Sequence, residues 1–193
     1  MKKILGFIVP FFLLSFLLLG RAQFQNDLTK NESLILFNEG KSLTDFSFDW
    51  AGGDHFTNQN LQGKWTLFFI GYTFCPDICP TTLAQLDSIY PKLTAQPYND
   101  IQIVFVSVDP NRDKAEQLAE YVHYFNAEFI GVTSTHKQLW PFVQNLGLIY
   151  SIVDKGVAEP SYLVDHSASI VLINPKGEHQ ASFQAKNKCR WHF

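Results

Sequence analysis

The chain has 193 residues, of which 46% are hydrophobic, 15% aromatic and 17% charged. That composition excludes a disordered tail and leaves room for one domain of ordinary size plus a targeting segment. Lys and Arg total 15 against 18 Asp and Glu, and three of the cations, Lys2, Lys3 and Arg21, fall in the first 21 residues, so the remaining body is acidic and no nucleic-acid partner is expected.

Met1-Lys2-Lys3 precedes an uncharged run from Ile4 to Gly20, closed by Arg21. Residues 1–22 are therefore read as an N-terminal membrane anchor or signal segment. The run is at the short limit for a bilayer core of roughly 30 Å, yet longer than the ~7–15 residue apolar core of a cleaved signal peptide. Gly20 and Ala22 are small residues suited to cleavage after Ala22, whereas the unbroken Leu/Phe run favours retention. The two lysines keep the N-terminus cytoplasmic and place the body on the outer, periplasmic side, where thiols can be oxidised. A retained anchor is the expectation, and a soluble periplasmic protein cleaved near Ala22 is the alternative.

Residues 23–44 read as a polar linker with one apolar stretch, Leu34–Phe37. From residue 45 the patterns become those of a folded domain that extends to 185. Asp45–Asp49 alternates, and Ala51-Gly52-Gly53-Asp54 turns it back into His55–Thr57, which predicts a β-hairpin. Trp65–Gly71 is a nearly continuous apolar run of strand length, as expected of a strand covered on both faces. Leu83, Leu86, Ile89, Tyr90 and Leu93 recur at helical spacing, predicting a helix from about Cys79 that Pro91 disturbs near its end. Ile101–Val108 is a second buried strand, ending at Asp109-Pro110. Asn111 or Asp113 is placed to cap a helix with Leu118, Tyr121, Val122 and Phe125 on its apolar face. Phe129–Val132 reads as a short strand and Ser134–Asn145 as a helix stopped by Gly147, with Pro141 inside it. Leu148–Val153, Tyr162–Val164, Ser169–Ile173 and Glu178–Phe183 read as strands, the last two joined by the turn Asn174–Gly177.

Strand, helix, strand, helix and then antiparallel strands is an α/β plan, a mixed central sheet flanked by helices and preceded by the hairpin. A cysteine pair where the first buried strand hands over to its helix fits a thioredoxin-like layout. In such sheets sites form beyond the carboxyl ends of the parallel strands, where Cys75, Cys79 and Asp109 all fall.

Three cysteines, Cys75, Cys79 and Cys189, are too few to staple a mini-protein, and the pair four apart is where chemistry is sought. At i and i+4 the two thiols share one face, and a helix start favours their thiolate forms. A disulfide needs Cβ atoms about 3.8 Å apart, closer than the ~5–6 Å of i,i+4 pairs within a helix, so a bridge requires Cys75 to lie outside the first turn. Pro76 and Pro80 make such a geometry accessible. A redox-active disulfide, a soft-metal site, and a structural bridge or two buried thiols all remain open. The only methionine is Met1, so a soft metal must be held by thiolate. Two thiolates hold Cu(I), and a third ligand makes the site tolerable to Cu(II) as well. Among six histidines, His166 stands out because Val164-Asp165-His166-Ser167 interrupts two apolar strands and sets an imidazole and a carboxylate at a strand edge. His55, His123, His136 and His179 are expected to be solvated rather than ligating. Asp109 is read as a strand-end residue capping the next helix, with a role supporting a metal ligand as the alternative.

The segment Gly71-Tyr72-Thr73-Phe74-Cys75-Pro76-Asp77-Ile78-Cys79-Pro80, followed by Ser107-Val108-Asp109-Pro110-Asn111-Arg112-Asp113 and by Val164-Asp165-His166-Ser167, resembles the Sco/SenC family of membrane-tethered copper chaperones. The resemblance runs from about Phe46 to Phe183, with the three motifs in the family's order. It implies a thioredoxin-like fold in which Cys75 and Cys79 join His166 to bind copper destined for the CuA centre of cytochrome c oxidase. The implied partners are the CuA-bearing subunit and a thiol reductant or another copper chaperone. Family members usually continue after the last hairpin with an amphipathic helix. This chain instead passes into residues 186–193, a tail from which no amphipathic helix can be built, so the family's C-terminal helix is expected to be missing and the tail frayed, with Cys189 dispensable. The expected function is that of a copper metallochaperone, a binding module rather than an enzyme with turnover. The alternatives are a membrane-tethered thiol-disulfide oxidoreductase using Cys75 and Cys79, and a copper or redox sensor.

Overall fold

A computed structural model describes residues 34–95, 100–153 and 162–184. In chain order its elements are β1 (Leu34–Ser42), β2 (Ser47–Trp50), β3 (Phe56–Thr57), a 3-10 turn (Asn58–Leu61), β4 (Trp65–Gly71), α1 (Ile78–Thr94), β5 (Ile101–Ser107), α2 (Ala115–His123), β6 (Ile130–Thr133), α3 (His136–Asn145), β7 (Tyr150–Val153), β8 (Leu163–His166), β9 (Ile170–Ile173) and β10 (Glu178–Phe183).

The apolar runs WTLFFIG and IQIVFVS become β4 and β5, in which every residue after the first is buried. They pair in parallel, from Trp65 opposite Ile101 to Gly71 opposite Ser107. Side chains alternate across a strand, so Phe68 and Phe69 face opposite layers. Phe68 meets Phe46 and Phe142 on one side, and Phe69 meets Phe105, which in turn meets Tyr121 of α2, on the other. Neither face needs polar residues because helices cover both. On the second face, α2 packs so tightly on β6 that a Cβ at Gly131 would sit 2.9 Å from the Leu118 backbone.

Eight strands form one sheet in the order β1-β10-β9-β4-β5-β6-β2-β3. The β4–β5 and β5–β6 pairs are parallel, while β9 joins β4, β10 joins β9 and β2 joins β6 antiparallel. The sheet is therefore mixed and flanked by three helices, as the α/β pattern predicts. The N-terminal hairpin is present as β2 and β3.

Several elements differ from the sequence expectation. Leu34–Ser42, read as part of a linker, is an edge strand paired with β10. It lies at the sheet margin, with Ile35 and Leu36 41% and 53% exposed, so backbone pairing rather than apolar alternation defines it. The helix α1, by contrast, continues past Pro91 to Thr94, as the apolar spacing up to Leu93 predicts; the proline is on the exposed side, where the carbonyl it leaves unpaired can reach water. Pro141 is tolerated within α3 in the same way. Neither Asn111 nor Asp113 caps α2, whose first flanking residue is Lys114. The strands β7 and β8 do not extend the main sheet but form a separate two-stranded ribbon. Residues 1–33 and 185–193, which hold the expected anchor and tail, lie outside the described residues; among the described residues no helix is long and apolar enough to cross a membrane.

His179 also departs from expectation. It is buried on the inward side of β10, its Nε2 2.8 Å from Ser182 Oγ and its ring 4.8 Å from that of Phe37. Burial, aided by the charge of Lys41, pushes its pKa below the ordinary imidazole value. The unfolded chain takes up this proton once the pH drops below about 6.5, while the folded chain resists it. The resulting stability is present above that pH and is lost as the pH falls through the folded value. Denaturant unfolding at pH 7.5 and 5.5 is expected to show a larger loss in the wild type than in His179→Gln; equal losses would contradict this assignment.

Candidate metal centre

The register of β4 and β5 brings two loops out of the same edge of the sheet. After Gly71 the chain turns through Tyr72–Asp77, with the Cys75 N–H donating to the Tyr72 carbonyl at 3.2 Å. The helix α1 then begins at Ile78, and Cys79 is its second residue. Cys75 thus lies outside the helix, the position a bridge would require. Both cysteines are free thiols and buried, Cys79 completely.

Cys79 owes its place to Gly71, where a Cβ would lie 2.5 Å from the Cys79 sulfur and 2.7 Å from the Phe105 ring. Any larger residue would push the sulfur away from the other donors. The motif contains this glycine, but its role is visible only when helix and strand are packed together. Gly71→Ala is expected to lower stability by about 1–3 kcal/mol through overpacking, measured by denaturant unfolding. Unchanged stability would show that the contact yields freely.

His166 arrives from the far side as the last residue of β8, opposite Tyr150 of β7. The Ile149 N–H donates to Ser167 Oγ at 3.0 Å and the Ser167 N–H to the Ile149 carbonyl at 3.0 Å, closing that end of the ribbon. The imidazole stands edge-on to Phe69 and Tyr72. Its Nδ1 is 3.1 Å from the Ser167 carbonyl, which only accepts, so the ring proton belongs on Nδ1. Nε2 is left with a bare lone pair 3.4 Å from the Cys79 sulfur. A backbone carbonyl that fixes the tautomer in this way is the usual support of a ligating histidine.

The two sulfurs and a ring nitrogen of His166 all lie within 4.8 Å of one another, the one group of three such donors among the described residues. Cys75, Cys79 and His166, far apart in the chain, are therefore brought together. Two sulfurs and a bare imidazole nitrogen form a soft donor set that fits copper. Asp165 does not join the group. His55 pairs with Asp49 at the surface, His123 is exposed, and His136 contacts the Tyr150 hydroxyl at 2.9 Å.

The thiols are electrostatically unequal. A hydrogen bond from Cys79 is the largest influence on Cys75, and with the N–H groups of Asp77 and Cys79 it outweighs burial, holding the Cys75 pKa down to about 4. Burial and the neighbouring Cys75 sulfur push Cys79 far up. One proton thus stays on Cys79 while Cys75 is a thiolate. Cys75 and His166 line an open cavity of about 600 Å³ together with Tyr72, Ile78, Trp140 and Tyr150. Iodoacetamide labelling followed by peptide mapping is expected to modify Cys75 before Cys79. The Cys75 rate should be nearly flat from pH 5.5 to 8, where an ordinary thiol slows about tenfold per unit. An ordinary thiol profile at Cys75 would refute the assignment.

The turn after β5 supplies supports of which the sequence reading named only Asp109, and that only as the alternative to a cap. Asp113, expected to cap a helix, is buried and accepts the Thr73 N–H at 2.9 Å and the hydroxyls of Thr73 and Ser107. Asp109, also read as a cap, is fully buried; its carboxylate takes Arg112 Nε and the Tyr162 hydroxyl. Neither caps α2 because the sheet-edge donors reach these carboxylates first. The motif Asp109–Asp113 was the available signal, but its partners Thr73 and Tyr162 lie 40 and 53 residues away in the chain.

The family model described as SCO1/SenC matches residues 38–190. The chain belongs to the SCO1/SenC family. The SCO1 homolog 1 of Arabidopsis thaliana mitochondria is 35% identical over 152 residues, a match spanning 76% of this chain and 45% of that relative's length. The Arabidopsis ScoI structure with copper bound is similar at a TM-score of 0.68 and 32% identity, covering 76% of this chain and 89% of that one. The yeast Sco1 structure with copper bound gives a TM-score of 0.69 at 28% identity, covering 77% and 82%. The architecture is thus the thioredoxin-like one of the Sco proteins, and β4, α1 and β5 place the Sco-family Cys-x3-Cys pair beyond the carboxyl edge of the sheet.

Proposed function

We propose that this Sco-family protein is a copper metallochaperone that holds Cu(I) or Cu(II) on Cys75, Cys79 and His166 and passes the metal to the CuA-bearing subunit of cytochrome c oxidase. The convergence of two sulfurs and a bare Nε2 within 4.8 Å carries the reading, and the copper-bound relatives support it. A role in cytochrome c oxidase assembly agrees with family membership. Two thiolates satisfy Cu(I), and the imidazole extends the site to Cu(II). Metal entry displaces the proton held by Cys79, so copper affinity rises with pH. Release has a direction as well, because Cys75 and His166 line the open cavity while Cys79 is sealed below. A recipient with soft donors would replace the cavity-lining ligands first, and the Cys79 sulfur last.

The anchor reading belongs to this proposal: residues 1–22 tether the domain to the membrane with its site on the periplasmic side. A second reading draws on the inequality of the thiols. Cys75 as thiolate could attack a disulfide in a copper-free recipient. Cys79, giving up its proton to the departing sulfur, would then resolve the mixed disulfide and leave a Cys75–Cys79 bridge and two reduced recipient thiols. A thiol reductant would be needed to restore the pair.

Titration of the reduced full-length protein is expected to give one copper per chain in both oxidation states, with a thiolate-to-copper absorption band for Cu(II). Cys75→Ser and Cys79→Ser should lose both ions, His166→Ala should lose Cu(II) coordination, and Cys189→Ser should bind as the wild type does. Oxidation of Cys75 and Cys79 to a disulfide should abolish binding. Stoichiometric Cu(II) with the same band in Cys75→Ser would sink the ligand assignment.

A further inference from the structure

The turn Asp109-Pro110-Asn111-Arg112-Asp113 contributes no donor atom to the thiol–imidazole group, yet it is built at considerable cost. Asp109 and Asp113 are 0% and 1% exposed, and the Arg112 side chain is 7% exposed. A buried ion pair is seldom more stabilising than apolar residues of the same volume, so three buried charged groups in one turn call for a use other than stability. Their partners supply it. Asp113 holds Thr73, two residues before Cys75, by both its N–H and its hydroxyl. Asp109 holds the Tyr162 hydroxyl and, through Arg112, the Tyr162 carbonyl, which accepts from Nη1 at 2.9 Å. The guanidinium lies 3.6 Å from the centre of the Tyr162 ring and 4.9 Å from that of Phe74, which adjoins Cys75. One turn therefore grips both halves of the site.

The His166 half needs such a grip. It rides on β8, which belongs to the separate ribbon with β7 and not to the eight-stranded sheet that fixes the cysteines. Tyr162 immediately precedes β8 and His166 ends it, so a slip or tilt at Tyr162 is carried about 13 Å along the strand to the imidazole at ~3.3 Å per residue. We propose that this turn is a two-armed bracket: Asp109, Arg112 and Tyr162 are positioning residues that set the imidazole against the sulfurs, and Asp113 sets the Cys75 loop. The inference rests on the copper reading, and it divides the two oxidation states. Two thiolates hold Cu(I) whether or not the imidazole is in place, whereas Cu(II) depends on the nitrogen.

The test uses the full-length reduced protein in detergent with Tyr162→Phe, which removes the hydroxyl and keeps the ring, and Arg112→Lys, which keeps the charge and removes the fork that holds the Tyr162 carbonyl. Cu(I) affinity is read by competition with a chromophoric chelator, and Cu(II) affinity by titration. The imidazole is read from its nitrogen splitting in the electron paramagnetic resonance spectrum. Each variant is expected to lose ~10–100-fold in Cu(II) affinity, the range for removal of a group supporting a ligand, and to alter the splitting. Cu(I) affinity should change less than about threefold. Adding Tyr162→Phe to His166→Ala should then leave Cu(I) affinity at the value of His166→Ala alone, because the hydroxyl acts only through the imidazole. Parallel losses of both ions in the two variants, through misfolding or otherwise, would overturn the bracket and leave the turn a stability element. Unchanged Cu(II) affinity and splitting in both, with His166→Ala impaired, would also overturn it while the copper reading stands. Wild-type Cu(II) binding by His166→Ala itself would bring down the copper reading instead.

Discussion

The in-register parallel pairing of β4 and β5 is the constraint on which the site depends. Because Gly71 lies opposite Ser107, the cysteine loop and the Asp109–Asp113 turn leave the sheet side by side, and Asp113 can reach Thr73 without a bridging element. The pairing is held by burial: after the first residue of each strand every residue is buried, and a one-residue slip would exchange the Phe68 and Phe69 layers. Such a slip would also part Gly71 from the Cys79 sulfur, so the hydrophobic core and the donor geometry are set by the same register.

On that frame the site divides into a rigid half and an attached half. Cys79 is sealed between α1, Gly71 and Phe105, and burial keeps its proton in place. Cys75 lines an open cavity and is a thiolate because Cys79 and two backbone N–H groups stabilise its charge. His166 comes from a ribbon outside the main sheet, tied at one end through Ser167 and Ile149 and at the other through Tyr162. A carrier that must both bind and surrender a metal gains from this division. In the proposed metallochaperone the sealed sulfur would retain the ion while the cavity-lining ligands exchange.

Much of this was legible beforehand. The α/β plan, the two buried strands, the helix after the cysteines and the closing hairpin all follow from local periodicity, which is a property of neighbouring residues. Cys75 and Cys79 could be chosen because they are close in the chain, and His166 because polar residues interrupt an apolar pattern. Elements at the sheet margin were less legible. Leu34–Ser42 is mostly exposed and is a strand only because β10 offers it a backbone ladder, and His179 is buried because β10 turns it inward.

The sequence alone therefore indicated the fold class, the order of the elements apart from β1, and the cysteine pair, since each is written in residue type and short-range spacing; His166 was singled out with the help of the family resemblance. Only the tertiary structure decided how those donors meet. It set His166 Nδ1 against the Ser167 carbonyl, assigned Gly71 to the Cys79 sulfur, and turned Asp109 and Asp113 from helix caps into links between loops. These are contacts between segments tens of residues apart. Their geometry depends on strand register and on which buried donor reaches a carboxylate first, and neither is encoded in any local pattern.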